Sequence, residues 1–275
     1  MLKNFLILFL FASLLFSCGK KNKETIIEPD IDEIGKSLYA EGVEALNTGD
    51  AFYAAKKFRE AEISLTQYDW SSKASLMVSY AEYSRNAYTN AIFELERHIK
   101  NYPADKNLSY AHYLVAMCYY EQILDEKKDL KPLLESKKKF EFVVSEYPDT
   151  DYAIDSRFKL DLIEDQLAAK EMSIARYYMK TEKWIPALNR LKLIVDKYDR
   201  TVFIEEALHR LVEVYYKIGL VEEAKKAAAI LGYNYASSAW YEQTYKVFNR
   251  KYRPIKLREK KKELGLVRRT IKKLF

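Results

Sequence analysis

The chain has 275 residues, of which 49% are hydrophobic and 31% charged, and its formal net charge is +6. That length is long for one globular core and ordinary for an array of repeats. With seven Gly, six Pro and no evident alternation of apolar and polar residues, an all-α chain is expected and sheet architectures are disfavoured.

Residues 1–18 read MLKNFLILFLFASLLFSC. One Lys and about a dozen apolar residues make a secretory signal; the run is too short to span a membrane and remain there. The ending Leu15-Phe16-Ser17-Cys18 resembles a bacterial lipobox, in which cleavage before the Cys leaves a lipid-modified N-terminus. Residues 1–17 are therefore expected to be removed, and Cys18 to carry lipid. Gly19 follows, with no Asp to retain the chain at an inner membrane, and Lys20 to Glu24 is basic and polar. A periplasm-facing outer-membrane protein with a tether over 18–34 is the expectation.

From about Gly35 a helix-pair pattern sets in. Its clearest copy runs from Leu167 to Ala207. Ala168, Ala175 and Met179 form one apolar stripe, and Ala187, Leu191, Ile194 and Val195 form the next, across the polar break Lys180 to Lys183. The 34-residue tetratricopeptide (TPR) frame fits Ala175, Tyr178, Ala187 and Leu191. It fits again on Gly42, Ala54, Phe58 and Ala61 around the turn Gly49-Asp50, on Ser79, Ala91, Leu95 and Pro103, and on Tyr215, Gly219, Ala224 and Ala228. A further copy has Ala116, Tyr119, Phe140 and Pro148, eight residues too long, so Gln122 to Pro132 is expected to be an extended inter-helix loop.

The expected fold is an all-α, right-handed superhelical solenoid of about five TPR helix pairs over 35–248. Repeats at about 35–148 and 151–248 form its two sides. From Asp151 to Lys180 no Gly or Pro interrupts, so a helix of about 30 residues is expected. Gly232-Tyr233-Asn234-Tyr235 reads as a stop, and a last helix follows from about Ser238 to Phe248.

The segment 249–275 has twelve Lys or Arg and two Glu, a charge of +10, against −4 for the rest. Leu264, Val267, Ile271 and Leu274 give it a basic amphipathic helical pattern. It could dock on an acidic partner, lie on anionic lipid, or pack on the last repeat; nucleic acid is not expected for an exported lipoprotein.

No catalytic residues, metal site or cofactor are indicated. G-x-S-x-G, P-loop, H-E-x-x-H and C-x-x-C motifs are all missing. Once Cys18 carries lipid, Cys118 is a lone thiol within an apolar helix, expected to be buried. A repeat array instead offers the concave face of its first helices. Tyr39, Asn47, Tyr80, Tyr83, Tyr110, Tyr113 and Tyr120 fall there. Each tyrosine offers a rigid ring and one hydroxyl, which suits an extended peptide with aromatic or amphipathic character. Several could equally pack on the neighbouring repeat.

The order of several motifs carries a resemblance. After the lipobox and Gly49-Asp50 come Tyr102-Pro103, Tyr110-Ala111-His112-Tyr113, Tyr119-Tyr120-Glu121-Gln122 and Tyr147-Pro148-Asp149-Thr150. Ala175-Arg176-Tyr177-Tyr178, Trp184, Asn189-Arg190, Glu206-Ala207-Leu208 and Leu231 to Tyr235 follow. From Cys18 to Phe248 the chain resembles the BamD family, TPR lipoproteins of the outer-membrane β-barrel assembly machinery, in a Bacteroidetes-like form. It departs at Tyr198-Asp199 and at Ala236, where the family usually has Pro.

The resemblance implies a non-enzymatic, lipid-anchored component, with other assembly lipoproteins as further partners. Its N-terminal repeats would receive unfolded outer-membrane β-barrel proteins, through an aromatic-ended strand. Its C-terminal repeats would hold the periplasmic domains of the BamA-type insertase, near Trp184, Asn189 and Arg190. Arg190 could instead pair with a Glu of its own chain. The alternative function is a periplasmic TPR scaffold for cell-wall or division complexes. A glycan-binding lipoprotein is disfavoured for want of room for a sugar-binding insertion.

Overall fold

The computed structural model describes residues 30–123 and 130–249. The signal segment, Cys18, most of the tether, and the basic tail from Arg250 lie outside the described residues. Eleven α-helices and no strands occur among those described. They are α1 (Ile31–Asn47), α2 (Ala51–Ser64), α3 (Tyr68–Ser84), α4 (Tyr88–Asn101), α5 (Leu108–Tyr120) and α6 (Lys131–Glu146). Then follow α7 (Asp151–Lys180), α8 (Trp184–Lys197), α9 (Ile204–Lys217), α10 (Val221–Asn234) and α11 (Ala239–Phe248). The fold is an all-α TPR array. The helices fall into two compact units, one ending at Ala81 within α3 and one beginning at Glu82.

The second helices share one buried stripe, spaced i, i+4, i+7. Ala54, Phe58 and Ala61 supply it in α2; Ala91, Leu95 and His98 in α4; Ala187, Leu191 and Ile194 in α8, all at 0% exposure. In α6 the stripe is Ser136, Phe140 and Val143, again at 0%. Ser136 thus takes the small position that the long third repeat conceals in the sequence. The small side chain lets the paired helices approach, and the large one fills the space beside it. In the first unit, a Cβ at Gly42 of α1 would come within 2.8 Å of the Phe58 ring.

Four turns inside the repeats close in one way. Gly49, Asn86, Glu182 and Gly219 each take a positive φ, at 88°, 62°, 54° and 84°. The next N–H bonds back five residues: Asp50 to Ala45 at 2.8 Å, Ala87 to Glu82 at 3.0 Å, Lys183 to Tyr178 at 2.9 Å and Leu220 to Tyr215 at 2.9 Å. This left-handed closure satisfies carbonyls orphaned at the helix end. Side-chain caps start other helices: Asp50 accepts from Tyr53 N at 2.9 Å, and Thr150 from Ala153 N at 3.2 Å. Tyrosines end four second helices. Tyr102, Tyr147, Tyr198 and Tyr235 each donate a backbone N–H to the carbonyl four residues back.

One sequence expectation needs correction. The inter-helix loop does not extend to Pro132: α6 begins at Lys131, with Pro132 in its first turn, where a missing N–H is harmless. Residues 124–129 of that loop lie outside the described residues. The helix α10 ends at Asn234 with Tyr235 as its cap, inside the stop read over Gly232 to Tyr235. Gly232 itself also makes room, because a Cβ there would lie 2.8 Å from the Tyr241 ring of α11. The long helix α7 has 30 residues, from Asp151 to Lys180, as its uninterrupted sequence implies.

The crossing in the first unit yields a test. Gly42→Leu must push into Phe58, which is 0% exposed and cannot swing aside. It should destabilise the chain by about 1–3 kcal/mol, read as a lower melting temperature by far-UV circular dichroism.

Candidate peptide groove and partner surface

In the second unit the first helices α5 and α7 face each other with aromatic and polar side chains. The Tyr110 and Tyr113 rings each lie 5.3 Å from that of Tyr152. Tyr113 also lies 6.0 Å from Phe140, and Tyr120 meets Phe140 edge-on at 6.1 Å. The Tyr113 hydroxyl donates to Asp155 Oδ2 at 2.7 Å, and Lys159 Nζ sits 4.8 Å over the Tyr120 ring. Burial and then the Asp155 carboxylate push the Tyr113 hydroxyl upward, so it stays a neutral donor. Tyr110, Tyr113 and Tyr120 are each half-buried. Each therefore packs on its own repeats and keeps part of its ring accessible. Tyr83, at the end of α3, is also half-buried, 5.8 Å from Tyr88.

In the first unit Tyr39 is half-buried, 5.2 Å from Phe58 and 5.6 Å from Trp70. Lys73 Nζ lies 5.2 Å from both the Tyr39 and Trp70 rings. Asn47 and Tyr80 are exposed, Tyr80 by 37%. The tyrosines grouped by the sequence frame thus divide between two units. Tyr152, Asp155 and Lys159 complete the α5–α7 shelf without having been singled out. Their i, i+3, i+7 spacing on α7 was the available signal, and it looks like any solvated helical face.

The C-terminal candidates sit on α8. Arg190 Nη1 donates to Glu171 Oε2 of α7 at 2.9 Å, so the guanidinium pairs with a Glu of its own chain. Its side chain remains 41% exposed. Asn189 is exposed, whereas Trp184 packs partly against the core formed by Met172, Ala175, Ala187 and Leu191. Two residues not singled out, Tyr177 and Ile185, are 60% and 59% exposed beside this region of the chain.

Beyond it, charged groups tie first helices together. Arg176 of α7 holds Glu206 of α9 through both Nε and Nη2, and Glu206 is only 8% exposed at its side chain. Burial would raise the Glu206 carboxyl, but the Arg176 bonds and the Arg210 charge bring it below its usual range. Arg210 also bonds Glu213 at 2.7 Å and lies 5.3 Å under Trp240 of α11. His209 Nδ1 meets Thr244 Oγ1 at 2.8 Å, and its ring is 5.2 Å from Trp240. This latch docks α11 on α9.

Cys118 is a buried free thiol, and burial pushes it up to about 12, so it is a poor nucleophile at neutral pH. Among the described residues, no group of three His, Cys, Asp or Glu is placed to hold a metal ion. Among them, too, no helix is long and apolar enough to cross a membrane.

Residues 32–230 match the family described as YfiO, outer membrane lipoprotein. The outer membrane protein assembly factor BamD of Caulobacter vibrioides is 39% identical over 238 residues, 86% of this chain and 77% of that one. That of Rickettsia prowazekii is 38% identical over 229 residues, 83% of this chain and 89% of that one. Among solved structures, the TPR2AB domain of yeast Sti1 aligns at 13% identity with a TM-score of 0.44, over 78% of this chain and 83% of that one.

Burial raises the Glu213 carboxyl, but bonds from His209 and Arg210 outweigh it and hold the group at about 2, against 4.5 for a free Glu. Its ionised form is therefore favoured by folding. That contribution is complete above about pH 4.5 and is lost as pH falls towards 2. Glu213→Gln should flatten the fall in melting temperature across that window, measured by calorimetry from pH 6 to pH 2.

Proposed function

The chain belongs to the YfiO family of outer membrane lipoproteins, and we propose that it serves outer-membrane protein assembly as a non-enzymatic, lipid-anchored component facing the periplasm. The observation that carries this is its 39% identity, across 86% of its length, to an outer membrane protein assembly factor. Cys18 is the lipidated residue in this reading. The bond to lipid keeps the helical array at the inner leaflet, where unfolded barrel proteins arrive.

The α5–α7 shelf is the part of the array suited to an unfolded barrel strand. Tyr110 and Tyr120 are ten residues apart on one helix, about 15 Å at 1.5 Å per residue. An extended strand covers that distance in about four or five residues. Side chains from one face of the strand then meet successive rings, while Asp155 and Lys159 engage its polar atoms. Tyr83 in the same unit, and Tyr39, Asn47 and Tyr80 in the first unit, are further candidate substrate contacts. The surface is partly polar, which suits transient capture and release.

The partner side uses α8. Arg190 presents a partly exposed guanidinium next to Asn189, and Ile185 lies one turn before Asn189. This is a surface for a carboxylate on the periplasmic domains of the insertase, with Trp184 anchoring α8 from behind. Other assembly lipoproteins are further candidate partners.

Two outcomes test this. An aromatic-ended barrel-strand peptide should bind the full chain, and Tyr113→Ala with Tyr120→Ala should weaken it about tenfold or more; unchanged affinity in fluorescence titration would remove the shelf. Arg190→Glu should reduce co-purification of the insertase while far-UV circular dichroism stays unchanged; undiminished recovery would remove Arg190 from the contact.

A further inference from the structure

Arg190 is exposed enough to meet a partner, yet it is not a loose side chain. Its Nη1 bonds Glu171 across the groove between α8 and α7 at 2.9 Å. The two partners differ in burial: Glu171 is 16% exposed at its side chain and Arg190 is 41% exposed. The carboxylate thus lies deeper, and the guanidinium reaches over it. Among the described residues Glu171 is the acid that pairs with Arg190, and the pair uses one nitrogen of the guanidinium. A guanidinium is a planar fork, so one fixed nitrogen orients the remaining donors.

From this geometry we infer that Glu171 is a positioning residue for the insertase contact: it holds Arg190 extended from α8, with the remaining edge of the guanidinium ready for a carboxylate of the partner. The inference rests on the assembly reading, in which Arg190 meets the insertase. An arginine left to itself samples many rotamers, and a partner must arrest them on binding. Glu171 arrests them beforehand. Because only Nη1 is committed, the Nε and Nη2 donors can form a two-point bond to the incoming carboxylate.

A competing role for the same residue gives the opposite sign. If Glu171 merely occupied Arg190, its removal would release the guanidinium and tighten the complex. If it only helped α7 pack on α8, its removal would weaken the complex whether or not Arg190 were present.

The test uses the full lipidated chain in detergent, titrated with the purified periplasmic domains of the insertase from the same cell. Glu171→Ala should weaken binding about three- to tenfold. Glu171→Gln, which keeps an acceptor on the same stem, should restore part of the loss. In a chain already carrying Arg190→Ala, adding Glu171→Ala should weaken binding no further. Unchanged or tighter binding by Glu171→Ala would overturn the inference. So would a further loss on the Arg190→Ala background. If Arg190→Ala itself leaves the affinity intact, the insertase reading of Arg190 fails first and takes the role of Glu171 with it. That outcome is separate from a silent Glu171 beside a sensitive Arg190.

Discussion

The close crossing of paired helices at a small side chain is the constraint on which the rest depends. Ala54, Ala91, Ser136, Ala187 and Ala224 are each fully buried at that crossing. In most pairs a large residue four positions on, such as Phe58, Phe140 or Leu191, fills the adjoining space. Where the first helix also gives up its side chain, as at Gly42, the ring of Phe58 occupies the volume. The first helices are buried on more than one side: α5 buries Ala111, Leu114, Val115, Ala116 and Cys118, and α9 buries Ile204, Ala207, Leu208, Leu211 and Val214. The side chains that stay half-buried on α5, Tyr110, Tyr113 and Tyr120, are what it leaves for a binding surface.

Two kinds of contact then fasten one first helix to the next. On α5 and α7 it is rings, with Tyr152 between Tyr110 and Tyr113 and a bond from Tyr113 to Asp155. On α7, α9 and α11 it is charge, with Glu206 between Arg176 and Arg210 and Trp240 over Arg210. Aromatic surface with scattered polar groups tolerates many peptide sequences. A guanidinium held in place suits one defined partner. In the proposed function the permissive surface serves unfolded substrates and the specific one serves the insertase.

The helix pairs were legible because they are local. Ala187, Leu191 and Ile194 share a stripe through spacing alone, and the unbroken run from Asp151 to Lys180 announces a single helix. The turns were only half legible. Gly49 and Gly219 advertise a left-handed residue, whereas Asn86 and Glu182 adopt the same conformation without looking special. The stop over Gly232 to Tyr235 was legible, whereas the room Gly232 makes for Tyr241 of a later helix was not. Ser136 was hidden by the longer third repeat. The site was less legible than the fold, because its meaning lies between helices. The residues that make Tyr113 a fixed donor and Arg190 a fixed cation, Asp155 and Glu171, read in sequence as two more acids on a solvated helix. The lipobox at Cys18 was the reverse case, legible as a motif and outside the described residues.

The central claim is that this chain acts within outer-membrane protein assembly. It is tested most directly by purifying the lipidated protein from detergent-solubilised outer membranes and identifying bound chains by mass spectrometry. An assembly role predicts a barrel insertase with periplasmic repeat domains in near-equal amount. Recovery of cell-wall or division proteins with no insertase would contradict it and leave a TPR scaffold with another client.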